Sequence, residues 1–359
     1  MSGATSDEFA ARLIARIRAA GPISITEYMR ECNAHYYATR DPFGAAGDFT
    51  TAPEISQVFG ELIGAWLADY WQRMGAPNPV LLVELGPGRG TLMADALRAT
   101  RRVPGFHDAL KLHLVEQSPV LRRIQQEKLA AYAPQFHDTM TRLPPVPGPM
   151  LVIANEFFDA LPIAQFEYRA GRTYERKVAL GSDGTSLVIR REPTRDEAVR
   201  GALDGDIREA SVTGYVMAHA LARRIARSSG AMLIIDYGYF PTGFGDTLQA
   251  LRRHRPVSIF DSPGEADLTA HVDFESLAKA ANSGGGTVHG PVSQASFLLE
   301  LGIAAREAAL IKKANPEQQV AIRSGCRRLI EPAEMGSLFK VLALTQKGGP
   351  VPAGFGVIT

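Results

Sequence analysis

The 359-residue sequence is poor in cysteine and carries almost no net charge. Its two cysteines, Cys32 and Cys326, are too few for a disulfide scaffold and lack the spacing of a zinc site, so we expect a reducing compartment. The 39 basic and 38 acidic residues leave no net field that would attract nucleic acid. The sequence has no apolar run long enough to cross a bilayer and no signal-peptide pattern. These absences predict a cytoplasmic protein that neither binds nucleic acid nor inserts into a membrane.

The segment Val80–Thr91, VLLVELGPGRGT, joins an apolar strand to a glycine-rich loop that opens a helix. Gly86, Gly88 and Gly90 permit backbone conformations that a Cβ would forbid, and they let a ligand approach the main chain closely. A P-loop is excluded because the lysine that it requires is missing, and a dinucleotide fingerprint needs a glycine where Thr91 stands. The loop is therefore a candidate cradle for another nucleotide-like cofactor, and an ordinary glycine-rich turn stays open as the alternative.

The pattern E-x-G-x-G-x-G, from Glu84 to Gly90, resembles motif I of class I S-adenosylmethionine-dependent methyltransferases. In that family the glycines lie against the methionine and ribose portions of the cofactor, and the acidic residue lies near its ammonium group. The resemblance implies that Glu84 and the loop bind S-adenosyl-L-methionine.

A second acidic residue, Glu116, ends the strand predicted at Lys111–Glu116. It stands where a nucleotide-binding βαβ unit places the carboxylate that holds a ribose. A carboxylate there can accept hydrogen bonds from both ribose hydroxyls. The alternative is a solvated acidic residue at a strand end, followed by Ser118 as the cap of a helix at Pro119–Ala131.

Strands alternate with helices through the middle of the chain, which predicts an α/β fold built on a doubly wound parallel sheet. The predicted core strands are Val80–Leu85, Lys111–Glu116, Met150–Asn155, Ala231–Asp236 and Leu338–Leu344. A helical N-terminal cap is predicted over residues 1–79, with one helix at Ile55–Met74. A β-meander and a helix form an insertion over residues 163–228, between Met150–Asn155 and Ala231–Asp236, which correspond to core strands 4 and 5 of a class I methyltransferase fold. Residues 80–162 and 229–359 are left for the core and its accessory elements.

Four segments, spread in one order over most of the chain, resemble the MidA family of class I methyltransferases. They are GDFTTAPEISQVFGE at Gly47–Glu61, ELGPGRGTL at Glu84–Leu92, NEFFDALP at Asn155–Pro162 and TAHVDF at Thr269–Phe274. The family includes a mitochondrial arginine methyltransferase that assists the assembly of respiratory complex I. The resemblance implies a class I methyltransferase fold, S-adenosyl-L-methionine as the donor, and an arginine of a protein acceptor such as a complex I subunit. A homodimer is compatible with the sequence.

The residues expected to contact the donor are Glu84, Gly86, Pro87, Gly88, Gly90, Thr91, Glu116, Asn155 and Glu54. The segment Gly47–Gln57 is expected to fold over the cofactor. A local explanation for the same segment is a capping box, in which Thr51 caps a helix and Glu54 follows three residues later. Only the family resemblance assigns Glu54 to the active site.

Candidate acceptor residues follow the strand at Met150–Asn155. Methyl transfer from a sulfonium depends on positioning and charge stabilisation, and it needs no metal. An acceptor guanidinium is always protonated and presents a fork of donors, so carboxylates should hold it. Glu156 and Asp159 stand at the carboxyl edge of the sheet, where ligands bind in open α/β folds, although a turn cap explains Asp159 equally well. Glu167 is a candidate partner carboxylate by analogy with arginine methyltransferases.

His271 is a third catalytic candidate, although a lone histidine is more often structural. Asp236 and Tyr237 end the next core strand at the same sheet edge, and we expect them to line the acceptor channel. Two other functions stay open: an assembly chaperone that binds its client with little catalysis, and a small-molecule methyltransferase.

Overall fold

The computed structural model describes residues 6–39, 51–145, 148–195, 201–252 and 254–356. Its central sheet is built from strands that we number in chain order: β1 (Val80–Leu85), β2 (Leu110–Val115), β3 (Gln135–His137), β4 (Met150–Asn155), β5 (Gly230–Tyr239), β6 (Thr287–Ser293) and β7 (Phe339–Thr345). Their spatial order is β6-β7-β5-β4-β1-β2-β3, and an eighth strand of two residues, Val272–Asp273, pairs in parallel with the end of β5. Neighbours among β1 to β5 are parallel, whereas β7 is antiparallel to both β5 and β6. The predicted α/β class is confirmed, with a mixed sheet.

Helices cover both faces of this sheet, because successive side chains of a strand point to opposite faces. On β1, Leu82 packs into the core under helix Gln57–Arg73, whereas Val83 packs into the core under helix Val212–Ser228. The other helices are Ser6–Ala20, Ile25–Thr39, Ala52–Ile55, Thr91–Thr100, Phe106–Ala109, Pro119–Lys128, Phe274–Ser283, Gln294–Glu300, Ile303–Ile311 and Pro316–Ile330. None of the helices in the described ranges is both long and apolar enough to cross a bilayer.

The strand order reverses between β1 and β4, which lie side by side. The chain leaves β1 toward β2 and β3 on one side, and it continues through β4 and β5 on the other. At such a reversal the loops after the two strands diverge and leave a crevice at the carboxyl edge. The fold therefore places the loops after Leu85 and Asn155 around one opening.

Two core strands were not predicted, and one predicted helix is wrong at its start. Strand β3 is only three residues long. Strand β6 is interrupted at Gly290, where its pairing with β7 is irregular, so its alternating pattern is lost. The helix predicted at Ile55–Met74 is broken at Ser56, whose Oγ accepts a hydrogen bond from the N–H of Val58 at 3.3 Å.

The insertion after β4 forms a second sheet that contains the predicted meander. Its strands are Ala164–Arg169, Arg172–Leu180, Leu187–Pro193 and Ile207–Ala210. The short strand Ile23–Ser24, from the N-terminal cap, pairs with Val178 and Lys177 and so joins the same sheet. A small third sheet consists of Gln249–Arg252, Arg255–Val257 and Asp267–Thr269. The division into cap, core and insertion at the predicted boundaries stays a prediction.

Candidate active site

The loops after β1 and β4 surround a cleft, and the short helix Ala52–Ile55 adds a third wall. The residues that line it are Thr51, Pro53, Glu54, Glu84, Gly86, Pro87, Gly88, Arg89, Thr91, Leu92, Asn155 and Glu156. Most of the residues predicted to contact the donor therefore meet in one place, whereas Gly90 and Glu116 are not among the lining residues. The first part of the segment predicted to close over the cofactor, residues 47–50, lies outside the described residues.

The glycine loop adopts backbone conformations that favour glycine. The φ angle is +60° at Gly86, +53° at Gly88 and +73° at Gly90. A Cβ on Gly86 would lie 2.8 Å from Cδ2 of Phe157, which is closer than packed carbon atoms approach. The loop after β4 can therefore close against the glycine loop only because Gly86 has no side chain.

Glu84 on β1 lies in this cleft with only 2% of its surface exposed. Its Oε2 atom has no hydrogen-bond donor among the described residues. Burial, with a smaller contribution from the nearby Glu116, raises the pKa of Glu84 to about 8. A buried carboxylate oxygen without a donor is costly, so this position suits a cationic group of a ligand.

Glu116 directly follows β2 and is buried, so the interpretation of a solvated residue is wrong. Its Oε1 accepts a hydrogen bond from the N–H of Ser118 at 2.8 Å, and its Oε2 accepts one from Nε2 of Gln125 at 3.2 Å. Gln125 also donates to the carbonyl oxygen of Gly88 at 2.6 Å, which ties Glu116 to the glycine loop. Ser118 caps the helix after β2, as predicted. Since each carboxylate oxygen has two lone pairs, Glu116 keeps the capacity to accept further hydrogen bonds.

Glu54 enters the cleft from the short helix Ala52–Ile55. Its Oε1 accepts a hydrogen bond from the hydroxyl of Thr91 at 2.5 Å, and Nζ of Lys128 donates to the same hydroxyl at 2.7 Å. The predicted capping box is wrong, because Thr51 makes no side-chain cap hydrogen bond. Glu54 instead connects the N-terminal segment to the helix that follows the glycine loop.

Glu156 is the first residue after β4 and has a φ angle of +50°, which is uncommon for a residue with a side chain. Its N–H donates to the carbonyl oxygen of Ile235 on β5 at 2.8 Å. Its Oε1 accepts hydrogen bonds from the N–H of Ala52 at 2.9 Å and from Nδ2 of Asn155 at 3.1 Å. Burial raises the pKa of Glu156 to about 7. The strained backbone thus holds a carboxyl group at the cleft between neutral donors.

The rest of the loop after β4 is wrapped around the carboxylate of Asp236. Oδ2 of Asp236 accepts hydrogen bonds from the N–H groups of Phe157, Phe158 and Asp159 at 3.1, 2.9 and 3.2 Å. Oδ1 accepts one from the N–H of Tyr237 at 2.9 Å. The expectation that Asp236 lines an acceptor channel is wrong, because its side chain is completely buried and holds the loop in place.

Asp159 is buried in the same loop, and its Oδ1 has no hydrogen-bond donor among the described residues. Burial raises its pKa to about 6. Its charge is close enough to Glu156 to contribute to the raised pKa of that residue. The fold therefore brings together the two carboxyl groups that the sequence suggested.

Glu167 does not join them. It is buried in the second sheet, where its carboxylate lies 2.6 Å from Arg191, 3.5 Å from Arg169 and 4.0 Å from Arg176. Its charge is already compensated inside the insertion, so the predicted pairing of Glu167 with Glu156 is wrong.

His271 lines a different cavity from the donor cleft. Its ring packs edge-on against the ring of Tyr237, with the centroids 5.4 Å apart. Burial, followed by the charge of Lys340, lowers the pKa of His271 and favours the neutral ring. A catalytic role for His271 stays a prediction.

Sequence reasoning missed Gln125 as a part of the site, and it interpreted Phe157 as core or pocket wall without foreseeing its contact with Gly86. A signal for Gln125 exists, because it stands between Leu121 and Leu129 at helical spacing and is fully buried with them. A polar residue on the apolar face of a helix needs a partner, which here is the glycine loop and Glu116. Phe157 lies inside the motif NEFFDALP, but its contact with Gly86 has no local signal.

A family model for S-adenosyl-L-methionine-dependent methyltransferases matches residues 62–292. The mitochondrial protein arginine methyltransferase NDUFAF7 homolog of Drosophila melanogaster is 40% identical over 371 residues, which cover 93% of this chain and 84% of that protein. The chain belongs to the MidA methyltransferase family.

Two further relatives agree with this placement of the MidA-family chain. Human mitochondrial protein arginine methyltransferase NDUFAF7 is 35% identical over 363 residues, which cover 92% of this chain and 82% of that protein. A crystal structure of a protein from Burkholderia thailandensis bound to S-adenosyl-homocysteine has a TM-score of 0.83 at 28% identity and covers 98% of this chain and 95% of that chain. The protein is an S-adenosyl-L-methionine-dependent methyltransferase with the class I fold.

The cleft of this MidA-family enzyme fits S-adenosyl-L-methionine, which supplies a methyl group on a sulfonium for in-line displacement. Oε2 of Glu84, which has no hydrogen-bond donor in the described part of the chain, offers an acceptor for the ammonium group of the donor. The positive φ angles of the glycine loop let the main chain approach the ligand without side chains in between. We expect Glu116 to accept hydrogen bonds from the ribose hydroxyls.

The pKa of Glu84 predicts that donor affinity depends on pH. The ionised carboxylate attracts the ammonium group, and since the pKa is about 8, the carboxylate is mostly protonated below that pH. We expect the affinity for S-adenosyl-homocysteine, measured by calorimetry, to fall roughly tenfold or more between about pH 8.5 and about pH 6.5. Glu84→Gln should bind more weakly and lose most of this dependence. A pH-independent wild-type affinity would show that Glu84 does not bind the ammonium group as an anion.

Replacing Glu116 should weaken the donor selectively. Glu116→Ala removes the acceptor that we expect to hold the ribose, so the dissociation constant for S-adenosyl-homocysteine should rise about 10- to 100-fold. The exposed Glu127 lies on the helix after β2, and Glu127→Gln is the control that should leave binding unchanged. Urea unfolding of both variants checks that the fold is intact. A change in affinity of less than about threefold for Glu116→Ala would contradict the assignment.

Proposed function

We propose that this MidA-family enzyme methylates a guanidinium nitrogen of an arginine in a protein acceptor. The observation that carries the proposal is a pair of carboxyl groups after β4: Glu156, which lines the donor cleft, and the buried Asp159, whose charge acts on Glu156. Burial raises their pKa values to about 7 and about 6, and no cation among the described residues forms a hydrogen bond with either carboxyl group. A cationic acceptor would restore their ionised form.

A guanidinium suits these two groups in charge and in shape. It stays protonated at any working pH, so its charge lowers the pKa of a carboxyl group that it contacts. Its planar fork of N–H donors matches carboxylate oxygens, and Oδ1 of Asp159 is an acceptor that lacks a donor among the described residues. We assign Glu156, which lines the cleft, to the grip on the acceptor nitrogens, and Asp159 to the second carboxylate.

The names of the relatives support an arginine acceptor, since the Drosophila and human proteins are both called protein arginine methyltransferases. We infer further that the acceptor is a subunit of the respiratory NADH:quinone oxidoreductase, complex I, as the family resemblance suggests. The named relatives are mitochondrial, whereas the composition of this chain favours reaction in the cytoplasm.

Transfer of labelled methyl groups tests this function directly. Purified enzyme and S-adenosyl-L-methionine with a labelled methyl group are added to a lysate, and the labelled protein is mapped by mass spectrometry. We expect label on an arginine of a quinone oxidoreductase subunit. Label on a small molecule would favour a small-molecule methyltransferase instead. Capture of the same subunit without any label, by an enzyme that binds the donor, would favour an assembly chaperone.

A further inference from the structure

Gly325 brings the helix Pro316–Ile330 into close contact with the short helix Ala52–Ile55. The glycine is buried. A Cβ at this position would lie 3.0 Å from the carbonyl oxygen of Ile55 and 3.2 Å from Cβ of Ser56, which is closer than such atoms normally pack. The two helices can approach each other this closely only because position 325 has no side chain.

The short helix forms one wall of the donor cleft, through Pro53 and Glu54. Two hydrogen bonds tie it to the rest of the cleft. The N–H of Ala52 donates to Oε1 of Glu156 at 2.9 Å, and the hydroxyl of Thr91 donates to Oε1 of Glu54 at 2.5 Å. The position of the short helix therefore determines the shape of the cleft on this side.

The next helix, Gln57–Arg73, packs tightly against the helix that follows the glycine loop. A Cβ on Gly60 would lie 2.7 Å from Cβ of Asp95, and a Cβ on Gly64 would lie 2.5 Å from the carbonyl oxygen of Ala96. The backbones of these two helices are thus in direct contact. A shift of either helix toward the other would force their backbones to overlap.

Glu61 fixes the same long helix by charge. Its buried carboxylate accepts hydrogen bonds from Arg98 at 2.9 Å and from Arg306 at 2.6 Å. Ser56 stands between the long helix and the short one, and its backbone is extended, with a φ angle of −154°. Because the regular helix is interrupted at Ser56, we expect crowding at Gly325 to displace the short helix and to leave the long helix in place.

We propose that Gly325 is a positioning residue for the methyl donor, because it lets the helix Pro316–Ile330 hold the short helix where Pro53 and Glu54 line the cleft. With a larger residue at position 325, the short helix moves in the donor-free protein and relieves the crowding. Bound S-adenosyl-L-methionine requires the short helix in its original place, so the crowding returns and weakens binding. This role concerns the donor and is independent of the acceptor proposed above.

A graded series at position 325 tests the inference without any need for catalysis. The dissociation constant for S-adenosyl-homocysteine, measured by calorimetry on the full chain, should rise about 3- to 10-fold in Gly325→Ala and about 10- to 100-fold in Gly325→Val. Alanine favours a helix more than glycine does, so Gly325→Ala should unfold at the wild-type urea concentration or above it. A loss of donor affinity without a loss of stability separates positioning from packing.

Ala321→Val is the matched control, because it places a β-branched residue at an exposed position of the same helix. It should leave the affinity for S-adenosyl-homocysteine unchanged.

Hydrogen exchange of the Ala52 N–H reports the position of the short helix directly, since this N–H exchanges only when its hydrogen bond to Glu156 opens. Mass spectrometry of a peptide that covers the short helix, from protein without ligand, should show exchange about threefold faster or more in both Gly325 variants. The Ala321→Val control should exchange at the wild-type rate.

Wild-type affinity and wild-type exchange in Gly325→Ala and Gly325→Val would overturn the inference. A loss of stability with unchanged donor affinity would also overturn it, because Gly325 would then only pack the two helices together. If Gly325→Val does not fold, Gly325→Ala decides by the same two measurements. Label on a residue other than arginine would overturn the proposed function and would leave these results unaffected.

Discussion

Glu156→Gln should lower the rate of methyl transfer about 100- to 1,000-fold while the affinity for S-adenosyl-homocysteine changes less than about threefold. The reason is charge. Glutamine has the same shape and its oxygen can still accept the hydrogen bond that Ala52 donates, so the short helix Ala52–Ile55 should stay in place. What is lost is the anion that would hold the acceptor guanidinium. Labelled methyl transfer and calorimetry on the same preparation measure the two quantities.

The control is again Glu127→Gln, on the exposed surface of the helix after β2. This variant should transfer methyl groups at the wild-type rate. Full activity of Glu156→Gln would remove Glu156 from the acceptor site. A parallel loss of donor affinity would instead assign Glu156 to the donor, which it also borders in the cleft.

Asp236→Asn should have the largest effect on stability. Oδ2 of Asp236 receives three backbone N–H groups and Oδ1 receives a fourth, and the Asp236 side chain itself is completely buried. Asparagine can keep an oxygen toward the three donors only by turning its own NH₂ group toward the N–H of Tyr237. Two buried donors then face each other, and we expect a loss of about 3–5 kcal/mol in the free energy of unfolding.

Urea unfolding checks this expectation, with Asp108→Asn as an exposed control that should change stability by less than about 0.5 kcal/mol. Because the same carboxylate positions Asp159, methyl transfer should fall even at temperatures where the variant stays folded. A stable Asp236→Asn protein would mean that the loop after β4 is held mainly by its other contacts.

Much of the fold follows from local patterns in the sequence. The apolar runs that became β1, β4 and β5 predict buried parallel strands, because a strand covered on both faces needs apolar residues at successive positions. Strands β3 and β6 were not predicted, because β3 is short and β6 is interrupted at Gly290. The break of the helix at Ser56 was not predicted, because the apolar pattern continues across this residue. Only the cap hydrogen bond in the structure reveals the break.

The residues of the candidate site also fall into those that local sequence patterns predict and those that they do not. The donor residues around Glu84 and the glycine loop are close in sequence, so a motif could report them. The corrections concern Asp236 and Glu167, whose partners lie on other elements. Arg191 is 24 residues from Glu167, and Phe158 is 78 residues from Asp236. Whether a carboxylate is free for a substrate depends on such partners, and no local pattern contains them.

The sequence by itself determined which methyl donor the protein binds. Few kinds of cofactor site combine a glycine loop with a glutamate, here Glu84, at the end of a buried strand. The conformational freedom of the glycines and the charge of Glu84 are properties of those residues alone. Only the tertiary structure decided which carboxyl groups are available to a substrate. The fold buries Asp236 under four N–H groups and surrounds Glu167 with arginines. It leaves Glu156 at the cleft and Asp159 near Glu156, with no hydrogen-bonding cation on either among the described residues. The pKa and the availability of a charged side chain depend on its dielectric surroundings and its partners, and folding supplies both.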